Sequence, residues 1–207
     1  MWAGLLMSLG DTRGKITSKP RKTSGADHLV LVLVALDENL RAELLGRREA
    51  DQSQRLTPDG DLDEMQRVDR ANSTWLSALV SERGWPGQTL VGVDGAQAAF
   101  LLAQHTPDHE LQRWFLQHLR IAVQDGEAQA AELALLEDRV LMFQGRPQRY
   151  GSQFTLVEGE LHLYEVEDPD SLDERRAAVG LEPLAEYQRS LEALYAPEGE
   201  HHDGDSR

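Results

Sequence analysis

The chain has 207 residues, of which 40% are hydrophobic and 28% are charged, with a formal net charge of −15 and no cysteine. This length suits one domain with a substantial core, and the composition excludes a wholly disordered chain. The missing cysteine excludes disulfide scaffolds, thiolate nucleophiles and cysteine-ligated zinc, and the strong acidity predicts that the chain does not bind nucleic acid.

The basic residues are distributed unevenly along the chain. The lysines are Lys15, Lys19 and Lys22, and every later basic residue other than histidine is an arginine. Because a Schiff base or a phosphate-loop lysine needs a primary amine, the rest of the chain excludes both. Residues 1–27 lack hydrophobic periodicity and are predicted to be a disordered basic tail, and residues 196–207 are predicted to be a disordered acidic tail.

Hydrophobic periodicity predicts a mainly helical body. Leucines from Leu36 to Leu45 recur at helical spacing, although the alternation in residues 29–34 also fits a short strand. A loop at Thr57-Pro58-Asp59-Gly60 interrupts the pattern. The later helices are predicted to begin at about Asp61 or Asp63, Asp94, Pro107, Glu127, Asp170 or Ser171, and Pro183.

A change of period indicates a β-hairpin near the C-terminal end. Phe154 and Leu156 alternate with polar residues and face Leu161 and Leu163 across a Glu-Gly-Glu turn. The predicted fold class is therefore α+β and mainly α. We expect one irregular helical domain over residues 28–195 with a small C-terminal hairpin.

Polar side chains concentrate in short runs at the ends of the predicted segments. The runs are Asp51-Gln52-x-x-Arg55, Gln104-His105-x-x-Asp108, Asp138-Arg139, Gln148-x-Tyr150-Gly151-Ser152-Gln153 and Asp173-x-Arg175-Arg176. Together with Gly84-Trp85-Pro86, they resemble an uncharacterised bacterial family, DUF6624, over about residues 45–187. The most specific element is Pro147-Gln148-x-Tyr150-Gly151-x-Gln153 after Asp138-Arg139. The resemblance implies that these motifs belong together, but it implies no activity.

Among these groups, His105 is the natural proton carrier. It ends an otherwise apolar helix, where the helix dipole favours a protonated imidazole, and Asp138 or Asp51 is expected to orient it. Amides, a tyrosine and arginines are groups with which a pocket holds a polar or anionic small molecule. The predicted catalytic residues are His105, Asp138 and Tyr150, and the predicted ligand-binding residues are Asp51, Gln52, Arg55, Gln104, Arg139, Gln148, Gln153 and Arg176.

Two functions stay open. The first is a cofactor-independent hydrolase or other acid/base enzyme that uses His105 on a polar or anionic small molecule. The second is a non-catalytic ligand-binding or protein-binding module whose polar runs form a structural network. The two differ in whether His105, Asp138, Gln148 and Tyr150 share one cavity.

Other classes of site are not expected. The chain has no glycine-rich phosphate loop, no Gly-x-Ser-x-Gly motif and no His-Glu-x-x-His helix, so no cofactor is predicted. Pro107 interrupts the helix on which His105 and His109 would have to pair, so no metal is predicted. The apolar run of residues 29–36 is far shorter than the roughly 18 residues that suggest a membrane span. A cytoplasmic protein that does not bind membranes is expected.

Overall fold

The computed structural model describes residues 35–56 and 61–195. The predicted tails, the alternative strand at residues 29–34 and the loop at residues 57–60 lie outside these residues. The described helices are α1 (Glu38–Leu56), α2 (Leu62–Arg83), α3 (Gln88–Gln104), α4 (His109–Gln124), α5 (Ala130–Phe143), α6 (Leu172–Ala178) and α7 (Leu184–Tyr195). The strands are β1 (Phe154–Val157) and β2 (Glu160–Leu163), and a 3-10 turn covers Pro169–Ser171.

Helix α3 forms the centre of the helical part. It packs against α1, α2, α4 and α5. The reason lies in its sequence, which is mostly alanine, leucine and other apolar residues, with Ala98, Ala99, Leu102 and Ala103 almost fully buried. Small side chains allow neighbouring helices to approach on several sides. The C-terminal end of α3 is therefore surrounded by other helices.

Helices α2 and α4 begin at aspartate caps. The side chain of Asp61 accepts hydrogen bonds from the backbone amides of the next turn and begins α2, as predicted. Asp108 caps α4 in the same way. Pro107 therefore lies just before the cap and not at the first helical position, which corrects the predicted start of α4.

Helices α3 and α5 also differ from the predicted boundaries. Helix α3 begins with one turn from Gln88, and Gly92 then kinks it with φ 75° and ψ 166°, so that the predicted Asp94 lies near the start of the longer part, where it accepts a hydrogen bond from the amide of Gly95. Helix α5 begins at Ala130 instead of Glu127, because the backbone carbonyl of Glu127 accepts a hydrogen bond from the amide of Gln88 and the capping box forms later.

The predicted hairpin is present, but its turn is one residue shorter than the predicted Glu-Gly-Glu, because Glu160 belongs to β2 and pairs with Val157. Phe154 pairs with Leu163, and Leu156 pairs with Leu161. The turn residues Glu158 and Gly159 both have positive φ, which is typical of a two-residue hairpin turn. The fold class predicted from the sequence, α+β and mainly α, is confirmed.

Candidate functional site

The site begins with a buried pair between α1 and the end of α3. His105 is the C-terminal cap residue of α3, and its Nδ1 atom lies 2.9 Å from both carboxylate oxygens of Asp51. Only 2% of the histidine side chain and 1% of the aspartate side chain are exposed. The packing of α1 against α3 brings the two residues together. Asp51, and not Asp138, is the carboxylate that contacts His105.

The same two carboxylate oxygens of Asp51 are also bound by side chains of α1 itself. Arg55, one turn after Asp51, places Nη1 3.0 Å from the Oδ1 atom of Asp51. Gln52 donates from Nε2 to the Oδ2 atom of Asp51 at 2.8 Å. The Asp51 carboxylate therefore has an imidazole, a guanidinium and an amide as partners, which compensates for its complete burial.

Asp69 on α2 extends the network and was not among the residues predicted from the sequence. The Nη2 atom of Arg55 lies 2.9 and 3.0 Å from its two carboxylate oxygens. A signal existed, because Asp69 lies four residues after Met65 and seven before Leu76, on the apolar stripe of α2. A carboxylate at a buried helical position indicates a partner of opposite charge.

Burial dominates the protonation states in this cluster. It lowers the pKa of His105 to about 4, opposed by the hydrogen bond that His105 donates to Asp51 and aided by the charges of Arg55 and Arg139. Burial raises the pKa of Asp69 to about 6 against the attraction of Arg55, and the carboxylate of Asp51 raises it further. The helix dipole had favoured a protonated His105, but the loss of hydration outweighs it. His105 is therefore neutral at pH 7.

Asp51 keeps its charge. Burial raises its pKa, but the hydrogen bond from His105 and the charge of Arg55 outweigh burial, so that the pKa lies below its ordinary value. A neutral imidazole beside a charged carboxylate carries its proton on Nδ1, and this N–H group donates a hydrogen bond to Asp51. This tautomer leaves the lone pair of His105 on Nε2.

The Nε2 atom of His105 is buried and has no hydrogen-bond partner among the described residues. An unpaired polar atom in a protein interior is unusual and calls for a physical reason, such as a ligand or water that completes it. The electrostatic effect of Arg139 on the pKa of His105 indicates that this arginine lies close to the imidazole. His105 therefore combines an unpaired buried lone pair on Nε2 with the electrostatic influence of a cation, Arg139.

Arg139 connects this first network to the hairpin. Its Nη1 atom donates to the backbone carbonyl of Gln104 at 2.9 Å, and its Nε atom donates to Oε1 of Gln153 at 3.2 Å. The same carbonyl accepts a hydrogen bond from Gln112 on α4. The end of α3 is thus bonded to α4, to α5 and to the segment before β1.

Asp138, the neighbour of Arg139, belongs to a second network. Its carboxylate accepts hydrogen bonds from the backbone amides of Arg149, Tyr150 and Ser152 at 2.7 to 3.1 Å. Burial raises the pKa of Asp138, and these amide donors oppose the rise. Asp138 therefore fixes the loop between α5 and the hairpin.

Gln148 and Arg176 bind the same loop from other sides. Gln148 is fully buried, donates to the backbone carbonyls of Gln153 and Tyr164 at 3.0 Å, and accepts from the amide of Gln153 at 2.8 Å. Arg176 is 1% exposed and donates to the carbonyls of Tyr150 and Glu182. These side chains bind backbone groups and connect α6 to the loop.

The eleven predicted site residues thus divide into two adjacent networks. The first network contains His105, Asp51, Gln52, Arg55, Gln104 and Arg139. The second contains Asp138, Gln148, Tyr150, Gln153 and Arg176. The bond from Arg139 to Gln153 joins them. Tyr150 takes part through its backbone, while its half-buried ring packs against the hydrophobic core.

Metal clusters and membrane-spanning helices are absent from the described part of the chain. It contains no group of three or more histidine, aspartate or glutamate side chains that could hold a metal ion. His109, considered with His105 as a metal pair, instead stacks on Phe143 with ring centroids 3.7 Å apart. None of the described helices is both long enough and apolar enough to cross a membrane.

Comparison with known proteins gives a family without an assigned function. A model described as a family of unknown function, DUF6624, matches residues 38–198, which is more than half of the chain. No curated protein and no solved structure matches the chain significantly. The family match includes both polar networks.

Proposed function

The chain belongs to the DUF6624 family, and we propose that it is a cofactor-independent acid/base enzyme, of the hydrolase type, with His105 as its proton acceptor. One observation carries this proposal: the buried Nε2 atom of His105 has no partner, while Asp51 holds Nδ1 at 2.9 Å. In this arrangement the carboxylate fixes the tautomer and stabilises the imidazolium that forms when Nε2 takes a proton. The family match supplies no substrate.

The surrounding charges suit a substrate that becomes more negative during the reaction. His105 would take a proton from a water molecule or a substrate hydroxyl and return it to the leaving group. Arg139 lies close enough to lower the pKa of His105, so its guanidinium would stabilise a developing anion beside Nε2. The substrate that fits is a polar or anionic small molecule.

The second network would support this site. Asp138, Gln148 and Arg176 hold the loop that carries Gln153, and Gln153 in turn accepts a hydrogen bond from Arg139. In this proposal they position Arg139 and do not touch the reacting atoms. The location we propose is the cytoplasm. We also propose that nucleic acid is not a partner, because the net charge of −15 repels polyanions.

The first test measures whether a small reagent reaches Nε2. Diethyl pyrocarbonate carbethoxylates unprotonated imidazole nitrogens, and mass spectrometry locates the modified residue. We expect His105 to react, with exposed His162 as the positive control. The rate at which His105 is modified should change little from about pH 5.5 to 8, because the pKa of His105 is about 4. Complete protection of His105 in the folded protein would contradict the proposal.

The second test separates the proton acceptor from the structural bond. Asparagine at position 105 can still donate to Asp51 from a position close to that of Nδ1, but it has no atom equivalent to Nε2. With p-nitrophenyl esters and phosphoesters as probes, we expect His105→Asn to lower the hydrolysis rate about 10²- to 10⁴-fold. A folded variant that retains the wild-type rate, or a wild type inert toward all these probes, counts against hydrolysis by His105.

A non-catalytic binding module is the second candidate. The observation that favours it is that Asp138 and Gln148 are fully buried and direct their hydrogen bonds to backbone groups. Such side chains stabilise a fold and need no substrate. For this function we expect His105 to be protected from the reagent and the His105→Asn variant to differ from the wild type only in stability.

A further inference from the structure

Two buried carboxylates on different helices share the guanidinium of Arg55. Its Nη1 atom lies 3.0 Å from Oδ1 of Asp51 on α1, and its Nη2 atom lies 2.9 and 3.0 Å from the two carboxylate oxygens of Asp69 on α2. The Arg55 and Asp69 side chains are 6% and 9% exposed, so water contributes little to balancing their charges. One guanidinium therefore has to balance two carboxylates.

The charge balance of this cluster changes when His105 takes a proton. With both carboxylates ionised and His105 neutral, the cluster has one negative charge in excess. When Nε2 takes a proton, the imidazolium, whose Nδ1 atom lies 2.9 Å from the Asp51 carboxylate, cancels this excess. Without the charge of Asp69, Asp51 and Arg55 would already balance each other. Protonation of His105 would then leave an unbalanced cation in the protein interior, which is costly.

The other groups around Asp69 leave this balance unchanged. The hydroxyl oxygen of Ser73 lies 2.6 Å from the backbone carbonyl oxygen of Asp69 and 3.2 Å from the hydroxyl oxygen of Thr106, and both hydroxyl groups are neutral. Arg139 acts on His105 from α5, but the hydrogen bonds described above direct it to neutral oxygens. In the proposed reaction its charge is balanced by the developing substrate anion. Asp69 is therefore the residue whose ionisation decides how easily His105 takes a proton.

We propose that Asp69 is a positioning residue for the proton acceptor: it engages Arg55 so that the charge of Asp51 remains available to the imidazolium. This inference rests on the proposed function, because it concerns the base of that reaction. Asp69 acts through Arg55 and Asp51 and touches no reacting atom. Burial raises the pKa of Asp69 to about 6 against the attraction of Arg55. His105 should therefore be a stronger base above about pH 6, where Asp69 is ionised, than below it.

The first measurement is an NMR titration of His105 in the full-length protein, and it needs no substrate. Two sites that compete for one proton titrate as a pair. In the wild type, the nitrogen-15 signal of Nε2 should therefore move part of the way to its protonated value near pH 6, which is the pKa of Asp69. In Asp69→Asn only the step near pH 4 should remain. A wild type without the step near pH 6 overturns the proposal, even if Asp69→Asn does not fold.

The second measurement is the pH profile of hydrolysis of the p-nitrophenyl probes. Asparagine at position 69 can still accept a hydrogen bond from Arg55, but it carries no charge. We expect Asp69→Asn to hydrolyse the probes about tenfold more slowly than the wild type at about pH 8. At about pH 5, where Asp69 of the wild type is itself protonated, the two rates should agree within about twofold. Equal losses of rate at both pH values would indicate a merely structural role and overturn the proposal.

Asp63→Asn is the matched control, because Asp63 is an exposed aspartate on the same helix. It should leave both the step near pH 6 and the pH profile of hydrolysis unchanged. A change as large as that in Asp69→Asn overturns the proposal, since the loss of any carboxylate on α2 would then suffice. A wild type that shows the step but is inert toward every probe contradicts the proposed function and not the effect of Asp69 on the basicity of His105. A missing step in a protein that hydrolyses the probes contradicts this inference alone.

Discussion

The Nδ1 atom of His105 lies 2.9 Å from both carboxylate oxygens of Asp51, although 54 positions separate the two residues in the chain. This contact fastens the end of α3 to α1 inside the protein. Because the carboxylate is charged and the imidazole neutral, the bond both stabilises a buried charge and selects the imidazole tautomer. The stability of the fold and the chemistry of the site therefore depend on the same pair.

Replacing the charge at position 51 should destabilise the protein. Asp51→Asn keeps the shape of the side chain but removes the counter-charge of Arg55 and places an amide among donors. We expect a loss of about 2 to 4 kcal/mol in the free energy of unfolding, measured by urea denaturation. The loss is large because three donors, from His105, Arg55 and Gln52, would each lose an anionic acceptor.

The matched control for this change is Glu49→Gln. Glu49 lies on the same helix but is exposed, so its substitution should alter stability by no more than about 0.5 kcal/mol. If Asp51→Asn were as stable as this control, the buried network would not hold α1 and α3 together.

Most members of the first network could be predicted from the sequence, but the contacts between them could not. Asp51 and Arg55 at a spacing of four residues also fit an ordinary salt bridge on a helix surface. Their partner His105 comes from a distant helix, and the packing of α1 against α3, which no local pattern encodes, brings it close. For the same reason either Asp51 or Asp138 could have been the partner of His105, and Asp69 was missed.

Removing the carboxylate of Asp138 should loosen the loop before the hairpin. Asp138→Asn presents an amide group to the backbone donors of Arg149, Tyr150 and Ser152, which now bind a carboxylate. We expect a loss of about 2 to 3 kcal/mol in the free energy of unfolding. Hydrogen exchange at these three amides should become faster than in the wild type, whereas exchange of the amides in α3 should change less.

Asp170→Asn serves as the control, because Asp170 is exposed on the 3-10 turn. It should leave both stability and amide exchange unchanged. Unaltered protection of the three loop amides in Asp138→Asn would show that other contacts hold the loop.

Gly151 is required both by its backbone and by its neighbours. Its φ is +64°, and a Cβ atom there would lie 3.3 Å from side-chain carbons of Leu172 and Leu184. Gly180 also has a positive φ, but a Cβ atom there would meet nothing within 4 Å. We expect Gly180→Ala to cost about 1 kcal/mol in unfolding free energy and Gly151→Ala roughly 1 kcal/mol more. Equal losses in urea denaturation would mean that Leu172 and Leu184 move aside freely.

The local features of this region could be predicted from the sequence, whereas its connections could not. The glycine after Tyr150 indicated a special backbone conformation, and alternating apolar residues indicated the hairpin. The sequence did not show that Gln148 would donate to the backbone carbonyls of Gln153 and Tyr164, which flank the hairpin. An amide side chain carries the same donors and acceptors whether it binds backbone groups or a ligand, so only its surroundings distinguish the two roles.

Glu132 gives a prediction about pH. It is 1% exposed, one carboxylate oxygen accepts from the amide of Gln129, and the other has no partner among the described residues. Burial raises its pKa from 4.5 to about 7. Between these values the folded protein binds a proton that the unfolded chain has released, so this residue makes the protein less stable as the pH rises.

Glu132→Gln should remove this dependence of stability on pH. An uncharged glutamine at position 132 can still accept the hydrogen bond from the backbone amide of Gln129. Relative to the wild type, the variant should gain about 1 to 3 kcal/mol in unfolding free energy between pH 4.5 and pH 8, most of it below pH 7. Urea denaturation at several pH values measures this difference. His105 contributes a trend of the opposite sign, since its lowered pKa makes stability rise with pH, but it is common to both proteins and cancels. For the exposed control Glu49→Gln, the curve of unfolding free energy against pH should run parallel to that of the wild type. A parallel curve for Glu132→Gln would mean that Glu132 is charged throughout this pH range.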